Sequence, residues 1–132
     1  MFHSVLPTLM FNVPSVARKT AIDVERVLGT PSQTIGSSEQ QSHPRLSYQS
    51  GRVEITFVDG LASRIVLHSP SDLPFHQRAL AKLGLPVRKP TLKERGRRMR
   101  WTNIAGVHEV TFEASPGGGV RSVTIRIAAH TA

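Results

Sequence analysis

Apolar residues along this chain are spaced three to four apart in short blocks and every second residue in longer runs, and the two spacings succeed each other twice. Over 21–28, Ala21, Val24, Val27 and Leu28 fall on one face of a helix, with Thr20 and Asp23 in the spacing of a capping box. Gly29 supplies a left-handed stop and Pro31 blocks continuation. A second block follows after residue 70: Ser71 or Asp72 can cap, Pro74 suits a first turn, and Phe75, Ala79, Leu80 and Leu83 line one face before Gly84 and Pro86. Two short amphipathic helices are predicted.

Strands follow each helix. Leu46 and Tyr48, then Val53, Ile55 and Phe57, alternate with polar residues at the period of a half-buried strand. A three-residue loop Val58-Asp59-Gly60 would oppose Phe57 to Leu61, Ile55 to Ser63 and Val53 to Ile65. A two-residue Asp-Gly loop would set Ile55 against Arg64, so the longer loop is the expected one. In the second stretch Val110 and Phe112 run into Ser115-Pro116-Gly117-Gly118-Gly119, and Val123, Ile125 and Ile127 return. That glycine run reads as a hairpin tip; no Gly-Lys-Ser/Thr follows it, as a phosphate loop would require.

A shift of 55 lays the second stretch over the first. Leu28-Gly29-Thr30-Pro31 meets Leu83-Gly84-Leu85-Pro86, and Gly51 to Phe57 meets Gly106 to Phe112. Over 28–58 nine positions are identical: Leu28, Gly29, Pro31, Glu39, Arg45, Gly51, Glu54, Thr56 and Phe57. The expectation is an α+β domain spanning 1–132, built from two tandem helix-plus-strand repeats at about 15–68 and 71–127. The repeats would form one antiparallel sheet of about six strands, with the helices packed on one face and the other face open.

A helix ending in L-G-x-P, then a G-x-x-E-[IV]-T-F strand and a hairpin, repeated over 20–127, resembles the arrangement of the β-lactamase inhibitor protein and the small outer-membrane assembly lipoproteins. That resemblance implies a protein that binds other proteins with its exposed sheet face or loops and has no catalytic centre. It carries over no functional residue.

Composition narrows the partner. The 132 residues hold no cysteine, which excludes disulfides, thiolate metal sites and a lipid-modified cysteine. Pro7, Asn12 and Pro14 interrupt the first apolar stretch, no basic residue precedes it, and no run is long enough to span a membrane. A cytoplasmic location is expected, with residues 5–11 docking on the sheet or in a homodimer. Seventeen Lys and Arg against nine Asp and Glu give +8, a bias toward anionic partners.

The two stretches differ most after the helix. Residues 32–42 read SQTIGSSEQQS; residues 87–98 read VRKPTLKERGRR. This slot tolerates a neutral connection, so the basic connection at 87–100 invites a functional reading. Arg88, Lys89, Lys93, Arg95, Arg97, Arg98 and Arg100, with Trp101 next to them, form the candidate anion site: arginine forks for phosphate oxygens, an indole to stack on an unpaired base. Nucleic acid, an acidic protein surface, and a merely solvated loop with Trp101 buried opposite its counterpart Leu46 all remain open. The alternative contact surface is the open sheet face, with Glu54, Thr56, Glu109 and Thr111 pointing away from Phe57 and Phe112.

Catalytic chemistry has little to stand on. Glu54 and Glu109 could act as an acid and base only within about 5–10 Å of each other. His3, His43, His68, His76, His108 and His130 lack metal-site spacing, and His108 occupies the inward slot that Val53 fills in the first stretch. No catalytic residue, cofactor or metal is expected.

Overall fold

The computed structural model describes residues 11–35, 44–70 and 73–127. In chain order the elements are α1 (Val13–Val16), α2 (Ala21–Leu28), β1 (Gln33–Ile35), β2 (Arg45–Tyr48), β3 (Val53–Val58), β4 (Leu61–His68), a 3-10 helix (Gln77–Leu83), β5 (Leu92–Glu94), β6 (Arg98–Ile104), β7 (Val107–Ala114) and β8 (Val120–Arg126). The strands make one antiparallel sheet in the order β1-β2-β3-β4-β8-β7-β6-β5. Two four-stranded meanders thus meet along their last strands, with β1 and β5 at the edges. The sheet is α+β in class, as expected, and has eight strands where about six were expected. The additional two are the short edge strands β1 and β5, which lie in the connections after the helices. Only three residues long, and with Lys93 and Glu94 in β5, they lacked a readable alternation.

One face of the sheet carries the core. Tyr48, Val53, Ile55, Phe57, Ile65, Leu67, Met99, Trp101, Val110, Phe112, Val123 and Ile125 point into it. They share one buried cluster with Val13 and Val16 of α1, Val24 of α2, and Ala79, Leu80 and Leu83 of the 3-10 helix. The short helices therefore cover this face and bury what the strands cannot bury alone.

Local chemistry explains the boundaries. Thr20 caps α2, its Oγ1 accepting from the Asp23 amide at 3.3 Å. Val24 is buried but Val27 is exposed, so the buried stripe of α2 is narrower than its sequence suggests. The second helix takes the tighter 3-10 form, and its cap is His76, whose Nδ1 accepts from the Arg78 amide at 3.0 Å. The expected caps Ser71 and Asp72 lie outside the described residues. Gly84 ends this helix in the left-handed conformation, and a Cβ there would lie 2.8 Å from Asn12 Oδ1 and 3.2 Å from Pro14 Cδ.

The β3–β4 hairpin corrects the expected loop. Val58 pairs with Leu61 across the two-residue turn Asp59-Gly60, both at positive φ, the geometry that matches strand twist. A β-bulge then inserts Ser63: Phe57 pairs with Ala62 but Thr56 with Arg64, so Ile55 meets Ile65 and the core face is restored. The rejection of the short loop overlooked this device. The β7–β8 hairpin also shifts register, with Glu113 opposite Ser122 and Ala114 opposite Val120, which leaves Arg121 as the extra residue.

Most of the N-terminal apolar stretch lies outside the described residues. Where description begins, the chain enters the core: Phe11 is buried and its amide donates to the Lys82 carbonyl at 3.2 Å. Arg18 fastens this segment to the far half of the sheet, donating to the Gly106 carbonyl at 2.9 Å.

Candidate binding surfaces

The basic connection is only partly a loop: residues 85–91 are irregular. Residues 92–104 form the hairpin β5–β6 at one sheet edge, and this divides the candidate cations into two groups. In the first, Arg88 folds back on the strand it precedes, its guanidinium donating to the carbonyls of Thr102 and Asn103. The Arg88 carbonyl in turn accepts from Trp101 Nε1 at 2.8 Å. Trp101 is fully buried, its ring edge-on to Phe112 at 4.8 Å between centroids. It is part of the core and presents no face on which a base could stack. Arg98 bonds Glu113 at 3.1 Å and lies 3.4 Å from Glu94. Arg100 Nε sits 3.6 Å from Glu109, an ion pair too long for a hydrogen bond, so this buried N–H has no hydrogen-bond partner among the described residues.

Lys89, Lys93, Arg95 and Arg97 make up the second group. All four are exposed, and none has a side-chain partner among the described residues. Arg95 and Arg97 flank Gly96 at the hairpin tip, where the Arg97 amide donates to the Glu94 carbonyl. A shallow, open groove beside the tip is lined by Arg97, Arg98, Glu113, Ser115 and Arg121.

Register places the outward residues of the sheet in rows. One row runs Arg45, Thr56, Arg64, Arg126, Glu109, Thr102 from β2 to β6; the next runs Ser47, Glu54, Val66, Thr124, Thr111, Arg100. Glu54, Thr56, Glu109 and Thr111 therefore do lie on the face away from the core. Glu54 and Glu109 stand on β3 and β7 with β4 and β8 between them, three strand spacings or roughly 14 Å apart. That is beyond the reach of a paired-carboxylate mechanism.

Each glutamate already has partners. Glu54 Oε1 lies 2.9 Å from His68 Nε2, and its Oε2 lies 3.9 Å from Arg45. Glu109 Oε2 pairs with Arg100 and accepts from Thr111 Oγ1 at 3.2 Å. Arg45–Glu54 and Arg100–Glu109 are thus two ion pairs at positions 55 apart. His108 is half-buried at the rim of the core face, its amide bonded to the Ile127 carbonyl at 3.1 Å. No group of three or more metal-ligating side chains occurs among the described residues.

Arg64 and Arg126 were not singled out from the sequence. They stand directly opposite each other where β4 meets β8, at the middle of the outward face, and both are exposed. No hydrogen bond or ion pair engages either side chain among the described residues. Alternation within each strand marks both as outward. What brings them together is a pairing between strands some 60 residues apart, which no local pattern specifies.

No family model, curated protein or solved structure matches this chain.

Proposed function

We propose that this protein is a non-catalytic binding module that engages an acidic protein surface with the outward face of its sheet. The observation that carries the reading is the row Arg45, Thr56, Arg64, Arg126, Glu109 and Thr102 across β2 to β6, none of them buried although Thr111 and Ser47 in the next row are, opposite a face whose core is already closed by three short helices. An antiparallel sheet with one solvated face needs no outward charges at fixed places. Here the same set, Arg-Glu-Thr, stands outward in both halves: Arg45, Glu54 and Thr56 in one, Arg100, Glu109 and Thr111 in the other.

A duplicated unit accounts for this agreement. Arg45–Thr56, Leu46–Ile55 and Ser47–Glu54 pair on one side, and Arg100–Thr111, Trp101–Val110 and Thr102–Glu109 pair on the other, each 55 residues on. The order of elements, which resembles proteins that bind other proteins through a sheet face, points the same way.

A second reading rests on four exposed cations, three in the β5–β6 hairpin and one in the segment that leads into it. Lys89, Lys93, Arg95 and Arg97 form an edge patch for an anionic polymer such as nucleic acid. With Trp101 in the core and Arg88, Arg98 and Arg100 held by internal partners, this patch keeps four of seven cations and no stacking platform. Charge reversal separates the two. Arg64→Glu with Arg126→Glu is expected to abolish binding of a peptide that carries a single glutamate flanked by serines, and Arg95→Glu with Arg97→Glu to leave it within about twofold. The reverse pattern, with salt-steep binding of single-stranded nucleic acid, would replace the first reading with the second.

A further inference from the structure

We infer that Arg64 and Arg126 form a cradle for one carboxylate presented by an acidic protein partner; the inference rests on the open-face reading and identifies the residues and chemistry at its centre.

Like charges directly opposite on neighbouring strands destabilise a sheet, and their side chains leave the backbone only about 5 Å apart. Here that arrangement stands at the central seam, β4 against β8, where Arg64 opposes Arg126. Elsewhere on this face the arginines are neutralised: Arg45 by Glu54, Arg98 by Glu94 and Glu113, Arg100 by Glu109. Glu109 is the cross-strand neighbour of Arg126, yet its Oε2 is directed to Arg100 and Thr111. Glu54, two residues from the neighbour of Arg64, is held by His68 and Arg45. Among the described residues, the seam pair is thus where two arginines stand side by side at the centre of the face without a counter-ion.

Two guanidinium forks at this spacing can share the two oxygens of one carboxylate, each donating through parallel N–H groups. Thr56, opposite Arg64, and Thr124, two residues from Arg126, flank the pair with hydroxyls that can complete the oxygen shell. Surroundings favour a carboxylate on a protein over a nucleic acid. Glu54, Glu109, Glu113 and Glu94 stand on the same face, each roughly 10–14 Å from the next, and would repel a continuous chain of phosphates laid across it. A protein surface can place one acid on the pair and hydroxyls, amides or a lysine over the glutamates.

The experiment is a double-mutant cycle with Arg64→Gln, Arg126→Gln and both, titrating each full-length variant in low salt with a labelled peptide that carries a single glutamate flanked by serines. Each single change is expected to weaken binding about tenfold, and the double change by clearly less than the product of the two, since one carboxylate uses both forks. Chemical denaturation gives an independent readout. The double variant is expected to be at least as stable as wild type, because a repulsion has been removed. Additive losses would overturn the shared carboxylate. Unchanged affinity in the double variant would overturn the assignment to this pair while leaving the open-face reading in place. Failure of the wild type to bind the peptide at all would overturn both.

Discussion

Trp101→Ala distinguishes a tryptophan that builds the core from one that waits for a ligand. The side chain is fully buried between strands, touches Phe112 edge-on at 4.8 Å, and donates its N–H to the Arg88 carbonyl at 2.8 Å. Deleting a buried aromatic side chain costs about 3–5 kcal/mol. Losing the ring pair and leaving a carbonyl unsatisfied adds about 1–2 kcal/mol. Against a total stability of about 5–15 kcal/mol for a domain, the alanine variant should lose about a quarter of it or more. Trp101→Phe keeps most of the apolar area and should cost about 1–2 kcal/mol, chiefly the hydrogen bond and the smaller ring. Urea denaturation followed by far-ultraviolet circular dichroism measures both. Because the chain has one tryptophan, acrylamide quenching of the native wild type is an unambiguous companion test. An alanine variant within about 1 kcal/mol of wild type, or a readily quenched native indole, would refute the placement of Trp101 in the core.

Three further outcomes follow from particular residues. Ala105 sits at φ 51 in the two-residue turn before Gly106, a position that suits asparagine or glycine, so Ala105→Asn should raise stability by about 0.5–1 kcal/mol in thermal or urea melts. Gly84→Ala combines a left-handed φ of 75 with contacts to Asn12 and Pro14, and should lose about 2 kcal/mol. The Tyr48 hydroxyl is buried without a hydrogen-bond partner among the described residues, and its pKa is raised first by burial and then by the charge of Glu25. A raised pKa means that the folded state holds the proton while the unfolded chain releases it near its ordinary value. The contribution is therefore intact below about pH 10 and is lost as pH climbs above it. The urea midpoint of wild type should fall more steeply above that pH than that of Tyr48→Phe, with the phenylalanine variant equally or more stable at neutral pH.

Some of this was legible along the chain and some was not. The cap at Thr20, the stop at Gly84 and the alternation of β3 are local, and the residues state them. The β3–β4 hairpin shows where local reading fails: Asp59-Gly60 does form the two-residue turn its sequence favours, and the mismatch it creates is absorbed by a bulge at Ser63 that no residue type announces. The basic connection misled in a similar way. Its charges look alike in sequence, but once the segment folds into β5 and β6, alternation and register give Arg98 and Arg100 to Glu113 and Glu109 and leave Arg95 and Arg97 at a tip. Arg88 is drawn off by the carbonyls of Thr102 and Asn103. Arg64 and Arg126 each look like one more outward arginine. Their meaning depends on the pairing of β4 with β8, a long-range choice made by the packed core on the opposite face.

The most direct test of the open face as the binding surface is a residue-resolved titration of the isotopically labelled protein with the single-glutamate peptide by amide chemical shifts. The expected result is a contiguous set of changes at Thr56, Arg64, Thr111, Thr124 and Arg126, on the four central strands, with the hairpin tip at Arg95 to Arg97 unaffected. Changes confined to Lys93 through Arg97, with those central strands silent, would contradict the account and move the binding surface to the sheet edge.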